Sequence, residues 1–172
     1  MSYEVSFEHI TKSFGSQAVL RDISFRVSPG RVHAVLGRNG AGKSTLFSIF
    51  LGLLPADSGK VRVAGEPWSR EVLDHVGASV NGPAFYGHLS ATDNLRVHTR
   101  LLGLPDSEID RVLHIAGLAG VGAKKAKSFS TGMKARLALA QALLGDPEIL
   151  LLDEPQNGLD PQGIAELRKL LQ

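Results

Sequence analysis

The stretch Gly37-Arg38-Asn39-Gly40-Ala41-Gly42-Lys43-Ser44-Thr45 sets glycines, a lysine and two hydroxyls at a spacing that suits holding a phosphate chain. Glycines let backbone N–H groups turn inward with no Cβ in the way. A helix beginning at the loop's end adds unpaired donors and a partial positive charge. Lys43 is long enough to reach the outer phosphates, and the Ser44 hydroxyl is a ligand for Mg²⁺. A second constellation is Ile149-Leu150-Leu151-Leu152-Asp153-Glu154-Pro155, an apolar run ending in two carboxylates. Ligands of open α/β sheets bind at strand C-termini. There Asp153 would hold Mg²⁺, directly or through water, and Glu154 would polarise an attacking water as general base.

These groups need a scaffold. Residues 32–36 and 149–152 are nearly continuous apolar runs, and predict strands buried on both faces of a helix-covered parallel sheet. Residues 45–51 are apolar at helical spacing, completing strand, glycine loop and helix. Residues 3–7, the later part of 20–27, and 60–64 alternate, and predict half-buried antiparallel strands. Turns are expected at 15–17 and 57–59. The middle of the chain is helical. Ser90 and Asp93 form an N-cap signature before Leu95, Val97, Leu101 and Leu102. Leu104-Pro105-Asp106 ends that helix and opens another, with the stripe Ile109, Val112, Leu113 and Ala116 and a stop at Gly117. A third helix runs through Met133, Leu137, Ala140, Leu143 and Leu144 to Gly145-Asp146-Pro147. A fourth opens on the cap Asp160-Pro161, with the stripe Ile164, Leu167, Leu170 and Leu171.

Phe129-Ser130-Thr131-Gly132-Met133-Lys134-Ala135-Arg136-Leu137 resembles the signature motif of ABC ATPases, and Gln156-Asn157-Gly158-Leu159-Asp160-Pro161 resembles their D-loop. With the glycine loop and the acidic pair, four motifs stand in family order, at the spacing of a transporter nucleotide-binding domain. The chain therefore resembles ABC transporter ATP-binding proteins. The resemblance implies an α/β fold: a P-loop NTPase core with a mainly parallel sheet, an N-terminal antiparallel β-subdomain and a helical signature subdomain. Residues 1–172 read as one such domain, with about 82–143 as the inserted helical part. The resemblance also implies ATP and Mg²⁺ closed between two domains packed head to tail. Ser130, Thr131, Gly132 and Met133 would contact the γ-phosphate of a partner-bound ATP, with Asp160 at the dimer centre, where it is also a plausible N-cap. Phe14 looks like the aromatic that stacks on adenine, the alternative being a strand-end core residue.

The chain departs from the family at two places. Asn81 stands where the family usually has a glutamine that touches the metal and its water; asparagine is one methylene shorter. The segment from Pro83 to Ser90 resembles that of bacterial drug and peptide-antibiotic exporters. Phe85 and Tyr86 in it are either the contact for a permease's coupling helix or part of the helical subdomain's packing. The family's switch histidine follows the D-loop helix, and none of the six histidines lies beyond Asp153. On this reading the domain is C-terminally truncated, binds ATP with little hydrolysis, and has low stability from an exposed sheet edge.

Nineteen basic against seventeen acidic residues give +2, with lysines and arginines scattered and few aromatics among them, so nucleic acid is not an expected partner. Residues 124–127 read as a solvated loop. There is no cysteine, which excludes disulfide and thiolate chemistry. No apolar run approaches the ~18 residues of a membrane span. The expected function is the ATPase subunit of a membrane exporter on the cytoplasmic face. Its expected partners are a second copy or paralogous ATP-binding subunit and an integral-membrane permease. The alternatives are a truncated, non-hydrolysing ATP-binding module and a soluble ABC ATPase without permease.

Overall fold

A computed structural model describes residues 3–80, 82 and 84–171. The chain forms two compact units, divided between His75 and Val76. Asn81 and Pro83, which the sequence reading singles out, lie outside the described residues.

The first unit is built on a four-stranded antiparallel sheet in the order β2-β1-β3-β4. Strands β1 (Val5–Phe14) and β2 (Gln17–Val27) form a hairpin that turns at Gly15, whose φ of 60° suits glycine. Both run longer than the sequence alternation alone marks. Strand β3 (Ser58–Val63) lies along the other side of β1 and pairs with the short β4 (Glu66–Pro67). Helix α1 (Lys43–Phe50) packs its Leu46, Ile49 and Phe50 into a core with Val5, Phe7, Ile10, Leu20 and Val63. The Phe7 ring stacks on Phe25 at 4.6 Å and lies 6.1 Å from Phe50, so aromatic contacts fasten the helix to the sheet.

Residues 32–36, expected as a doubly buried strand, are neither strand nor buried: Val32 is 66% and Leu36 89% exposed. Apolar composition supplies the side chains of a strand but not its ladder. Among the described residues this run has no hydrogen-bonded neighbour strand.

The second unit pairs β5 (Val76–Ser79) with β6 (Ile149–Leu152) in parallel, Val76 opposite Ile149 and Ser79 opposite Leu152. All four residues of β6 are half-buried rather than fully buried, with β5 as the neighbour strand. Helices α2 (Ala91–Leu102), α3 (Ser107–Ile115) and α4 (Thr131–Ala142) enclose the core of this unit, which includes Leu95, Ile109, Val112, Phe129 and Leu137. Helix α5 (Pro161–Leu170) follows the acidic strand end. The caps fall where the residue types place them. Ser90 Oγ accepts from Asp93 N–H at 3.0 Å, and Gly103 and Gly117 take left-handed φ after α2 and α3. Of residues 124–127, expected as a solvated loop, Lys124, Lys125 and Lys127 are exposed, but Ala126 is fully buried and opens a short 3-10 helix, Ala126–Ser128. Among the described residues no helix is long and apolar enough to cross a membrane.

Candidate functional site

The glycine loop is seated by strand β2. Gly42, the N-cap of α1, has φ 93°, and a Cβ there would stand 2.7 Å from Leu20 Cδ2 and 3.0 Å from Val19 Cγ1. A side chain there would be strained in its backbone and would have to push Leu20 and Val19 aside. Gly40 is also left-handed, at φ 80°. Lys43 folds back over the loop, its Nζ donating to the carbonyls of Gly37 at 2.9 Å and Arg38 at 3.3 Å. The loop closes on itself through Ala41 N–H to Arg38 O at 3.0 Å, and α1 starts with Leu46 N–H to Gly42 O at 2.9 Å. Residues 36–41 are exposed, while Lys43, Ser44 and Thr45 are half-buried. A turn of exposed backbone at a helix N-terminus, with an ammonium folded over it, is a built cradle for an anion.

Phe14 lies in the same unit. It ends β1, pairs with Gln17, and is 51% exposed, so it is not a strand-end core residue. Val19 and Leu20, which hold Gly42, lie two and three residues along β2 from Gln17. At ~3.3 Å per residue the hairpin tip and the loop's seat are about 10 Å apart along one strand. A single hairpin thus supports both the aromatic ring and the phosphate cradle.

In the second unit, Asp153 continues the β5–β6 ladder through its N–H to Ser79 O at 2.8 Å, and is half-buried. Glu154 is exposed and left-handed, at φ 50°. That conformation is strained for a residue with a Cβ, and turns the chain sharply at the strand end. Its carboxylate accepts from the Asn157 side-chain amide. Ser130 caps α4, its Oγ accepting from Met133 N–H at 3.2 Å, and Asp160 caps α5, its Oδ1 accepting from Gly163 N–H at 2.8 Å. Thr131 is exposed, and Gly132 and Met133 are half-buried.

The signature residues and the turn after Glu154 are in direct contact, which local sequence rules did not foresee. Gly158 has φ 81°, and a Cβ on it would stand 2.3 Å from Thr131 Cγ2; a Cβ on Gly132 would stand 3.0 Å from Gly158 O. Arg136, one turn into α4, donates to Glu166 Oε2 on α5 at 2.8 Å and to Ala116 O after α3 at 3.3 Å. The Arg136 guanidinium, with the Gln162 amide adding to it, holds the Glu166 carboxyl below its ordinary range. These two charged groups also line a cleft of about 230 Å³ with Leu139, Leu159, Leu167 and Leu170. Its lining is otherwise mostly apolar, and it holds none of the residues expected to touch phosphate.

Of the aromatic pair with two readings, the structure separates the members. Phe85 packs against the helical core, with Lys134 Nζ 5.8 Å from its ring centroid, whereas Tyr86 is 52% exposed. Asn94, fully buried, ties the loop that carries them to α2.

The model of the ABC transporter family matches residues 20–157. This chain belongs to the ABC transporter family. It is a member of the family's ATP-binding domains, which are ATPases. It is 40% identical to the lantibiotic transport ATP-binding protein SrtF of Streptococcus pyogenes over 168 residues, covering 98% of this chain and 73% of the relative. It is 42% identical to the bacitracin transport ATP-binding protein BcrA of Bacillus licheniformis over 175 residues, covering 99% of this chain and 57% of the relative. Among solved structures, cbiO1 from Clostridium perfringens, part of the ABC transporter complex cbiONQ, superposes with a TM-score of 0.85 at 30% identity. That match covers 99% of this chain and 73% of cbiO1. The expected fold class, antiparallel β-subdomain, parallel strands and helical part, is the one these ABC domains have.

Proposed function

We propose that this chain is the ATP-binding and ATP-hydrolysing part of a peptide-antibiotic exporter. In this reading it sits on the cytoplasmic face of the membrane beside an integral-membrane permease, and pairs head to tail with a second copy or a paralogue. The observation that carries the reading is the closed glycine loop, with Gly42 locked against Val19 and Leu20 and Lys43 folded over the carbonyls of Gly37 and Arg38. The lantibiotic and bacitracin transport relatives supply the substrate class.

Each residue then has a task. Residues 37–45 present N–H groups to the phosphates, and the Lys43 ammonium moves from loop carbonyls to phosphate oxygens. Phe14 stacks on the adenine. Ser44, Asp153 and Asn81 are the residues assigned to Mg²⁺ on this reading. Among the described residues no three His, Cys, Asp or Glu side chains cluster as a metal cage. A hydroxyl, one carboxylate and one amide are the sparse donor set that Mg²⁺ accepts when phosphates complete its shell. Bound there, Mg²⁺ would neutralise developing phosphate charge. Glu154 takes the proton of the attacking water. Ser130 and the N–H groups at the start of α4 donate to the γ-phosphate bound by the partner, while Asp160 holds the start of α5 at the dimer centre. Residues 1–172 act as one ABC-type domain, with about 82–143 as its helical part.

The test is calorimetric binding of ATP with Mg²⁺, followed by sizing of the chain with and without nucleotide. Lys43→Ala is expected to weaken ATP binding about 10- to 100-fold, the loss of one or more charge-assisted hydrogen bonds. Glu154→Gln is expected to keep ATP binding, lose turnover, and accumulate an ATP-dependent dimer. Equal ATP affinity in the parent and Lys43→Ala would refute the reading.

A further inference from the structure

Lys12 is an unusual lysine. The residue is 9% exposed, near the end of a strand whose last residue, Phe14, is half exposed. Its Nζ donates to Asp57 Oδ1 at 2.8 Å and lies 5.8 Å from the centroid of the Phe14 ring. Burying an ammonium costs free energy unless it is paired and hydrogen-bonded. Asp57 supplies the pairing and does more. Its Oδ2 accepts from Ser13 N–H at 2.7 Å, and its own N–H donates to Thr11 O at 2.9 Å. The next residue, Ser58, shares a 2.7 Å hydroxyl contact with Thr11. One acidic residue, 45 positions along the chain from Lys12, therefore grips three consecutive residues of β1 just before Phe14. The register of β1 on β2 shifts between Lys12 and Ser13, where strand pairing alone fixes the backbone least. The Lys12 ammonium, with the Ser13 N–H behind it, holds the Asp57 carboxyl below its ordinary range.

We infer that Lys12, pinned by Asp57, is a positioning residue for nucleobase stacking: it holds the Phe14 ring from one side so that the exposed side is presented to the base. The inference rests on the ATP-binding reading above and deepens it. A cation against an aromatic ring is attracted by the ring's quadrupole and restrains its rotamer. Withdrawal of π density toward the ammonium also favours an electron-rich purine on the other face. Holding the ring in place beforehand removes an ordering cost at the moment of binding.

The test separates base from phosphate. ATP and inorganic tripolyphosphate, each with Mg²⁺, are titrated calorimetrically into the parent chain and into Lys12→Met, Lys12→Arg, Asp57→Asn, Phe14→Ala and the Lys12→Met/Phe14→Ala double variant. Lys12→Met and Asp57→Asn are expected to raise the Kd for ATP about three- to tenfold and leave that for tripolyphosphate within twofold. Lys12→Arg restores most of the loss, because it keeps a cation over the ring. In the Phe14→Ala background, Lys12→Met has no further effect, since the ring it serves is gone. Equal weakening of both ligands, including loss of both through misfolding, shows a structural ion pair and overturns the inference. So does an additive double variant, or no change in either ligand. A parent chain that binds neither ligand overturns the ATP-binding reading and this inference together. A parent that binds both but ignores Lys12 and Asp57 overturns this inference alone.

Discussion

Replacing Asn94 by alanine should loosen the loop at residues 84–90 without touching any residue assigned to nucleotide. Asn94 is fully buried. Its Oδ1 accepts from Tyr86 N–H at 2.7 Å, and its Nδ2 donates to Ser90 O at 2.8 Å, Tyr86 O at 3.1 Å and Leu89 O at 3.4 Å. None of the three acceptors depends on it alone. Ser90 O also receives Asn94 N–H, Tyr86 O receives Leu89 N–H, and Leu89 O receives Ala126 N–H. An amide has two hydrogens, so two good bonds to carbonyls are lost, each worth about 1 kcal/mol net. The Tyr86 N–H loses its side-chain acceptor, adding about 1 kcal/mol or more if the loop cannot open to water. The sum is about 3 kcal/mol. Asn94→Asp should cost more at neutral pH, because an anionic oxygen replaces the donor that faces three carbonyls. Trp68, the single tryptophan, lies in the unit of residues 3–75, so its fluorescence is a poor reporter of this change. Amide hydrogen exchange at residues 84–90, with denaturation followed by circular dichroism, reads it directly. A loss under 1 kcal/mol in Asn94→Ala, with unchanged protection of the Tyr86 amide, would refute the argument.

Gly77→Ala should be far more damaging than an ordinary glycine change in a strand, since its Cβ would stand 1.8 Å from Ala142 O and 2.7 Å from Pro147 Cγ. A loss of about 3 kcal/mol or more is expected in thermal denaturation, because the obstacle is backbone. Glu108 should make the second unit acid-sensitive. Its carboxylate takes two hydrogen bonds from Arg111 and one from Gly145 N–H, and Arg111 chiefly holds its pKa down. The unfolded chain therefore binds the proton more readily than the folded one. The stabilisation is full above the ordinary glutamate pKa of about 4.3 and is lost as pH falls through the lower folded value. Glu108→Gln should cost about 1–2 kcal/mol at pH 7 and flatten the stability profile below pH 4.5, as read by urea denaturation at several pH values.

Features governed by near neighbours were legible in the sequence. Ser90 and Asp160 each cap the helix their residue type announces, with the accepted N–H three residues on. The glycine loop closes as its spacing requires. What depended on a distant partner was not legible. The apolar run at 32–36 looks like a buried strand because composition records which side chains such a strand carries. It does not record whether a neighbour offers hydrogen bonds, and here Leu36 is 89% exposed. Lys12 and Asp57, or Arg136 and Glu166, are ordinary charges in sequence, 45 and 30 positions apart, and only the folded chain shows them bonded. For the contact of α4 with the turn after Glu154, the nearest sequence signal was a pair of glycines, Gly132 and Gly158, each in a motif read for its place between two partner domains.

Those two glycines say something about how the second unit can move. The start of α4 and the turn after Glu154 approach so closely that a Cβ on Gly158 would overlap Thr131, and one on Gly132 would press on Gly158 O. Arg136 then bonds across to Glu166. Packed contacts of this kind are not continuously deformable. The groups proposed to reach a partner's γ-phosphate, Ser130 to Met133, therefore travel with the turn that carries Glu154 and with the cap at Asp160. The Phe85 ring beneath Lys134 and the Asn94 clamp extend the same body to the loop bearing the exposed Tyr86. A force applied at Tyr86 would reach the signature residues through packed side chains over a short path, rather than through a flexible linker. On the exporter reading, this makes residues 84–90 the place where a permease would sense nucleotide closure. Loosening that loop with Asn94→Ala should then uncouple transport from ATP binding before it weakens ATP binding itself.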